Sequence, residues 1–460
     1  NAGFNLLGTS LAAQEYWDNH RALDYLLTRK DIDPERIGVY GSSGGGTQTA
    51  YYIGLDPRVK VAAICSFFST RERTMELQGP SDGCQHIPYE GREQLEVPDF
   101  ALMMAPRPLL ILSGKYDFVD LWGAQQGFAE LQQCYKVLGV PEKVDMLTVE
   151  TGHGLGTEKR QKLVSWFKRW LKDDQSPVKK SAQDRFRLSD MLCTTKGQVN
   201  VSMPGALSIM QENVNQLDEW ASKREAFLSK GKKTVQAKML DLLGLKGLPD
   251  HKIRIEATGH DSMREYEQYK FQLIREGEMP VPCILIMPSR ANADSPVELR
   301  LQEEGKGTYL SEYANFAAAL TEGKILLLAD LRGFGETTDP AFYTDAKYWN
   351  REYRNAMVSM HIGRPIMGQR VVDILTLLDF CSEHEFLKGH SVKVFANGIY
   401  GPAAIHAAYL DERINSVEIT HSVKTWKEYI ERPMQWDMYS NVLYGALKYY
   451  DLPDLIRLSN

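Results

Sequence analysis

One short segment, residues 36–50, constrains this chain more than any other. Its β-branched stretch Ile37-Gly38-Val39-Tyr40 runs directly into Gly41-Ser42-Ser43-Gly44-Gly45, and small residues then continue in a helix-compatible run. That order predicts a strand, a sharp turn and a helix, with Ser43 at the tip of a Gly-x-Ser-x-Gly turn. The glycines are explained by the strained backbone of such a turn, which bulky neighbours would obstruct. Gly44 follows the serine, so its N–H is expected to point to where an oxyanion would form.

Two further polar residues follow strand-like runs, in the chain order that a serine-dependent triad requires. Asp117 comes after the apolar run Pro108–Gly114, which is typical of a parallel strand buried on both faces. His153 leaves the end of the next such run, Val144–Val149. Because open α/β sheets place their sites at the carboxyl ends of strands, we expect these residues to meet at one edge. There His153 would take the Ser43 proton, and Asp117 would hold the imidazole tautomer.

Each residue of this set has a simpler interpretation when it is taken alone. Ser43 and His153 could both be ordinary loop residues. Asp117 could cap a helix that begins near Leu121, and Asp120 is a rival for either role of Asp117. Order, spacing and placement at strand ends together favour the triad.

The composition excludes several classes of protein. With 460 residues, 43% hydrophobic and 25% charged, the chain has room for two ordinary globular domains. A formal net charge of -6 provides no basic face, so no nucleic acid or anionic membrane partner is expected. No apolar run approaches the roughly 20 residues that span a bilayer. The six cysteines are scattered without a CxxC pair, so we predict neither a zinc site nor a dense disulfide framework, and no metal or cofactor.

A second pattern is a weak internal repeat at a constant offset of 355 residues. Four pairs share this offset without a gap: Leu23-Asp24 with Leu378-Asp379, Leu55–Val59 with Leu410–Ile414, Gly8 with Gly363, and Val97–Phe100 with Leu452–Leu455. In the same register Ser43 is matched by Gly398. The second copy is therefore expected to keep the turn, to lack the nucleophile and to be catalytically silent.

The repeat also divides the chain. We expect a catalytic domain over residues 1–172, an exposed linker over 173–204 and a second, non-catalytic domain over 205–460. Strand-like runs at 252–256, 281–287 and 324–330 precede the repeat in the second copy, whereas the first copy has almost nothing before it. Both copies are therefore expected to be truncated, and the chain, which starts with asparagine, to be a window onto a longer protein.

Two local patterns are predicted between and after these domains. Arg185–Leu188 and Gln198–Val201, on either side of Lys196-Gly197, predict a hairpin in the linker. Gly205–Leu245 has helical spacing and predicts a packing helix. Its apolar face comprises Leu207, Met210, Val214, Leu217, Trp220 and Ala221.

With these residues in place, the first copy resembles the acetyl xylan esterase-like branch of the α/β-hydrolase superfamily, which includes two-domain bacterial serine carbohydrate esterases. The matching residues are Asp31–Gly38, Gly41–Gly46, Asp56–Val59, Gly79-Pro80, Ala105–Pro108 and Gly152–Gly154. In the second copy Arg332–Thr337 is similar to the loop after the fourth strand of that branch. The loop Ser81–His86 departs from the acidic version expected in relatives.

The resemblance implies an α/β fold, a mostly parallel sheet with helices on both faces, here duplicated with a degenerate second copy. It implies a cofactor-free serine esterase that deacetylates or demethylates plant-type polysaccharide or oligosaccharide, such as acetyl xylan or pectin, and a periplasmic or secreted location. Ser43, His153, Asp117 and Gly44 carry over as nucleophile, base, acid and oxyanion donor. The residues expected to contact substrate are Ser42, Gln85, Tyr116 and Trp122.

Two alternatives stay open. One is a prolyl-oligopeptidase-like serine peptidase, which has the same triad on the same fold. The other is a structural or carbohydrate-binding role for the second domain. The sequence leaves the ester, the glycan and the oligomeric state undecided.

Overall fold

The computed structural model describes residues 1–78, 82–178, 186–340, 352–433 and 438–459. Its backbone separates into two units, the first made of Asn1 and Ser10–Ala206 and the second of Ala2–Thr9 and Leu207–Asn460. The segment predicted as a linker is thus counted with the first unit, and the short opening helix with the second. The domain limits 1–172 and 205–460 stay a prediction.

A parallel sheet forms the middle of the first unit. Among the described residues it has four strands, β1 (Gly38–Ser42), β2 (Val61–Cys65), β3 (Leu109–Gly114) and β4 (Val144–Val149), paired in that order. Every neighbouring pair is parallel. Strands β2 and β3 are buried along their whole length, and their sequences are apolar apart from Ser113 near the end of β3, as expected of central parallel strands. The predicted strands before Ser43, Asp117 and His153 are confirmed.

Helices cover both faces of this sheet. The helices up to residue 206 are α1 (Ala2–Leu6), which is counted with the second unit, and then α2 (Leu11–Leu27), α3 (Gly44–Ile53), α4 (Arg71–Gln78), α5 (Val97–Leu102), α6 (Leu121–Val137), α7 (Thr157–Lys172) and α8 (Val199–Ser202). Ala62, Ile64 and Ile111 pack in one cluster with side chains of α2, α3, α5 and α6. The alternate strand residues, such as Leu110, pack in a second cluster with Trp166 of α7. The predicted α/β layering is therefore confirmed.

The predicted hairpin in the linker is wrong. Leu188–Met191 forms a 3-10 turn and Val199–Ser202 forms α8, while Arg185 lies outside the described residues. Leu188 and Val201 are 77% and 56% exposed, so no core covers one face of a strand pair here. A hairpin without such cover is marginally stable at best, which explains the difference.

The second unit contains a mixed sheet. Its strands within the described residues are β5 (Arg254–Ser262), β6 (Tyr266–Ile274), β7 (Val281–Pro288), β8 (Val297–Leu301), β9 (Ile325–Ala329), β10 (Val392–Asn397) and β11 (Ile414–Thr420). Across the sheet the order is β11-β10-β8-β9-β7-β6-β5. The pairs from β5 to β9 are antiparallel, and those from β9 to β11 are parallel.

The sequence patterns predicted β5, β7 and β9 but missed β6 and β8. Apolar and charged residues alternate in β8, as in a strand with one solvent-facing side, but the run is only five residues long. Glu298 is nevertheless buried, where it pairs with Arg300 and with Lys324, the latter at 3.1 Å. A charged residue inside a strand is tolerated because these cations neutralise it, and this pairing is invisible in a local window.

The helices of the second unit follow the same chain order. They are α9 (Ile209–Leu228), α10 (Lys232–Leu242), α11 (Lys306–Ser311), α12 (Ala317–Thr321), α13 (Tyr353–His361), α14 (Ile366–Glu383), α15 (Gly401–Leu410), α16 (Lys427–Glu431) and α17 (Leu452–Ser459). The predicted helix over 205–245 is two helices: the first ends at Leu228, and Gly231, with φ 91°, turns the chain into the second. Its predicted apolar face is buried only in part: Leu217 is buried, whereas Leu207 is 53% exposed. No helix in the described ranges is long and apolar enough to cross a bilayer.

The internal repeat is visible in the structure of each unit. Helices α2 and α14, strands β1 and β10, helices α3 and α15, strands β2 and β11, and helices α5 and α17 fall in the same register. Each unit also holds one arginine between two aspartates, Arg58 with Asp24 and Asp56, and Arg413 with Asp379 and Asp411. The repeat in sequence therefore corresponds to a repeated local structure.

The second copy keeps the backbone of the turn, but the Glu303 side chain occupies the space beside Gly398. Gly398 has φ 62° and Ser43 has φ 59°. The N–H of Ile399, at the position equivalent to Gly44, donates to Glu303 Oε2 at 3.2 Å. A side chain at position 398 would overlap this carboxylate.

Candidate active site

Ser43 lies at the junction of β1 and α3, where the chain turns sharply from strand to helix. Its φ of 59° and ψ of -123° are rare for a residue with a side chain. Gly41 permits the turn, since a side chain there would overlap the Gly45 carbonyl oxygen. The Ser43 N–H donates to the Cys65 carbonyl at 3.0 Å, and its hydroxyl does not cap α3. The turn therefore presents this hydroxyl at the carboxyl end of β1.

Gly44 is the first residue of α3. Its N–H belongs to the first turn of the helix, where no preceding helix carbonyl is available to accept it. The helix dipole also places partial positive charge at this end. An anion beside Ser43 would be stabilised by both, so the oxyanion role of Gly44 stays a prediction with a physical basis.

His153 and Asp117 are joined by a hydrogen bond. The distance between His153 Nδ1 and Asp117 Oδ1 is 2.8 Å. The Asp117 side chain is 1% exposed, and the imidazole is 29% exposed. Because an ionised carboxylate only accepts, the proton of neutral His153 lies on Nδ1, which leaves Nε2 free to accept another proton.

The loops that carry these two residues are held together by main-chain hydrogen bonds. The N–H of Lys115 donates to the Val149 carbonyl at 2.8 Å, and that of Tyr116 to the Thr151 carbonyl at 3.1 Å. Gly114 allows this approach, because a Cβ there would meet the carbonyl oxygens of the His153 loop at 2.6 Å. The loop after β3 and the loop after β4 therefore form one layer at the sheet edge.

Asp120, the rival acid, has other partners. It caps α6 by accepting the N–H of Gly123 at 2.6 Å. Its carboxylate also lies 3.4 Å from Arg73 Nε. The capping role considered for Asp117 thus belongs to Asp120, while Asp117 faces the histidine.

The serine and the histidine are not hydrogen-bonded to each other among the described residues. Catalytic hydrogen bonds are often long without substrate and tighten in the complex. The imidazole instead packs on the Phe118 ring, with centroids 4.2 Å apart and planes 21° from parallel. The sequence patterns missed Phe118, whose only signal was its place directly after the acid.

The comparison with known families places the fold of this region. Residues 7–174 match the prolyl oligopeptidase family, from the residues before α2 to just after α7. This stretch is an α/β-hydrolase-type domain. Putative hydrolase YtaP of Bacillus subtilis (strain 168) is 26% identical to this chain over 168 residues, which are 36% of this chain and 56% of that protein. The chain thus spans about half the length of that relative.

Solved structures with partial likeness are esterases by name. A putative acetyl xylan esterase from Bacteroides fragilis NCTC 9343 has a TM-score of 0.44 at 12% identity and covers 55% of this chain and 73% of its own. A family 15 glucuronoyl esterase from Caldicellulosiruptor kristjansonii has a TM-score of 0.33 at 19% identity, covering 39% and 55%. Such low scores establish neither a shared overall fold nor a substrate.

In the hydrolase domain, the environment of Asp117 favours its charged form. Burial alone would raise the pKa of this carboxyl. Hydrogen bonds from His153 and from the Val119 N–H, together with the nearby Ser66 hydroxyl, outweigh burial and hold the pKa below its ordinary value. Asp117 is therefore a carboxylate at neutral pH.

The residues predicted to contact substrate occupy different positions in the hydrolase domain. Tyr116 and Trp122 are 65% and 53% exposed, and the Arg73 guanidinium lies 4.9 Å from the Trp122 ring centroid. Ser42 is half-buried at the end of β1. The Gln85 carbonyl accepts hydrogen bonds from the Tyr51 hydroxyl and from Arg71. Gly79, Pro80 and Ser81, part of the resemblance and of its departing loop, lie outside the described residues.

Proposed function

We propose that the protein is a serine hydrolase that cleaves carboxylic esters through Ser43, His153 and Asp117. The observation that carries the proposal is the hydrogen bond between His153 and buried Asp117, at the sheet edge where the strained Ser43 turn lies. The strain is supporting evidence, because unusual backbone angles at a serine persist only where the surroundings hold them.

In the proposed mechanism His153 Nε2 takes the hydroxyl proton while Ser43 Oγ attacks the ester carbonyl carbon. The carbonyl electrons move to the oxygen, and the Gly44 N–H stabilises the resulting anion. Collapse of this intermediate breaks the ester bond, and the leaving alcohol receives the proton from His153. Water then attacks the acyl group on Ser43 by the same steps, which releases the acid and restores the serine.

The proposed substrate is an esterified polysaccharide or oligosaccharide. The motif resemblance supports this class, and so do the exposed rings of Tyr116, Phe118 and Trp122 on the acid loop and at the start of α6. Flat aromatic faces pack well on the C–H face of a sugar ring, so these three rings are the proposed sugar contacts. Action on a polymer would place the enzyme in the periplasm or outside the cell.

A serine peptidase is the second candidate function. The match to the prolyl oligopeptidase family favours it, since the same triad order serves amide hydrolysis. Acetylated xylan, methylated pectin, small acyl esters and a proline-containing peptide, tested side by side, separate the two candidates. Ester cleavage at least about tenfold faster in kcat/KM than peptide cleavage is expected; the reverse order would favour the peptidase.

The nucleophile is tested with a fluorophosphonate probe, which bonds to an activated serine oxygen and loses fluoride. We expect labelling of Ser43, and we expect Ser43→Ala to lose both labelling and ester hydrolysis. Ser165→Ala, on α7, is the matched control and should behave as the wild type. Retention of more than about a tenth of the activity by Ser43→Ala would exclude Ser43 as nucleophile.

The second domain is proposed as a non-catalytic copy with a structural or carbohydrate-binding role. Gly398 at the nucleophile position and Glu303 in the turn support this. No fluorophosphonate labelling is expected within residues 205–460.

A further inference from the structure

Lys159 of α7 is a buried lysine whose hydrogen-bond partners in the described part of the chain are uncharged. Its residue surface is 1% exposed, and among the described residues it takes part in no ion pair. Its ammonium donates instead to the Gly154 carbonyl at 3.0 Å and to Ser66 Oγ at 3.3 Å. Burying an ammonium in this way is unfavourable unless its hydrogen bonds and a nearby charge compensate.

Ser66 connects this lysine to the two loop residues of the proposed triad. It follows β2 at φ 49° and is 3% exposed. Its Oγ accepts the N–H of Gly154 at 3.1 Å as well as the Lys159 ammonium. A hydroxyl has two acceptor sites and one donor, so these bonds leave its own proton for another group.

Asp117 carries a buried oxygen that lacks such a donor. Its Oδ1 accepts the hydrogen bond from His153, whereas its buried Oδ2 has no hydrogen-bond partner among the described residues. The Ser66 hydroxyl nevertheless lies close enough to help lower the pKa of Asp117.

We propose that Lys159 and Ser66 are positioning residues for His153, an inference that rests on the proposed function. Lys159 orients the Ser66 hydroxyl, Ser66 holds Asp117 from the side opposite to His153, and both fix the main chain of Gly154, the next residue after His153. The chain Lys159–Ser66–Asp117–His153 therefore sets the position of the imidazole. Outer partners that orient a working histidine commonly change activity when they are removed.

The test is Lys159→Met, which keeps the length of the side chain and removes its donors. We expect kcat to fall about 10- to 100-fold, because a small displacement of a catalytic group has effects of that size, while KM changes little. Lys172→Met, the same change at an exposed position of α7, is the matched control. Ser66→Ala removes the hydroxyl and leaves the main chain unchanged. It should have the same effect on kcat, and it serves as the test if Lys159→Met fails to fold.

A proton NMR measurement separates positioning from general stability. The Nδ1 proton of His153, hydrogen-bonded to a carboxylate, should resonate far downfield in the wild type and in Lys172→Met, and should shift or broaden in Lys159→Met. A folded Lys159→Met with unchanged kcat and unchanged resonance would overturn the inference. This resonance needs no turnover, so a failure of Ser43 as nucleophile would be recognised separately by the fluorophosphonate label.

Discussion

At the scale of single residues, the choice between two neighbouring aspartates illustrates how partners define a role. Asp117 and Asp120 both follow β3, yet only Asp117 bonds to His153, and Asp120 bonds to the first turn of α6. The difference lies in the turn between them, where Asp117 also accepts the Val119 N–H at 3.1 Å. Local chain geometry thus directs one carboxylate to each task.

Asp117→Asn is expected to lower kcat about 10³- to 10⁴-fold, because an amide can donate to Nδ1 and stabilise the wrong imidazole tautomer. Steady-state kinetics on the best ester substrate measures the change. Asp120→Asn, the matched control, should keep its rate and nearly all of its stability, because asparagine caps a helix about as well as aspartate. A mild effect at Asp117 together with a severe one at Asp120 would move the acid to Asp120.

His406 provides a test of pH dependence in the second domain. It is fully buried in α15, and burial lowers its pKa to about 4, although the Pro402 carbonyl acts in the opposite direction. An unfolded histidine has a pKa of about 6.5, so between these values only the unfolded chain binds the proton. Stability is therefore lost as the pH falls through this window, by about 2 kcal/mol between pH ~7 and ~5.

Hydrogen exchange of the α15 amides at these two pH values measures that loss. His406→Gln removes the titrating group and should flatten the pH dependence relative to the wild type. If both proteins lose the same protection on acidification, His406 is not the group responsible.

At the scale of elements, the same strand–turn–helix unit occurs twice with different contents. Between β1 and α3 the turn carries a serine, and between β10 and α15 it carries a glycine whose space is taken by Glu303. Both turn residues have positive φ, so the backbone of the unit is preserved without the chemistry.

Gly398→Ser is expected to produce no esterase activity in a Ser43→Ala background, since a serine without a positioned base stays protonated and weak. The new side chain should also destabilise the second domain by about 1–3 kcal/mol through overlap with Glu303. Thermal unfolding and ester hydrolysis are the measurements. Adding Glu303→Ala should restore stability and still give no activity; hydrolysis by either variant would show a working second site.

At the scale of the whole molecule, the duplicated arginine–aspartate network allows each unit to be destabilised separately by one substitution. In each unit one aspartate side chain of the network is almost fully buried, Asp56 at 1% and Asp379 at 2% exposed. Removing the arginine leaves such a carboxylate with fewer partners, which is strongly unfavourable.

Arg58→Met and Arg413→Met are each expected to destabilise one unit by about 2–4 kcal/mol. Calorimetry should show two unfolding transitions, with a different one shifted in each variant and both shifted in the double variant. Shift of a single common transition by either variant would mean that the proposed domains unfold together.

The sequence by itself determined the features that depend on local steric and hydrophobic demands. The Ser43 turn could be recognised because Gly41 is required next to it, and β3 because a fully buried strand must be apolar. The 355-residue repeat likewise identified Gly398 as the counterpart of Ser43. Only the tertiary structure decided which polar groups meet: Asp117 with His153, Lys159 with Ser66, and Glu303 with the N–H of Ile399. These pairs join residues that are far apart in sequence. Their contribution to stability depends on desolvation and on the geometry of each contact, and neither can be read from a short stretch of sequence.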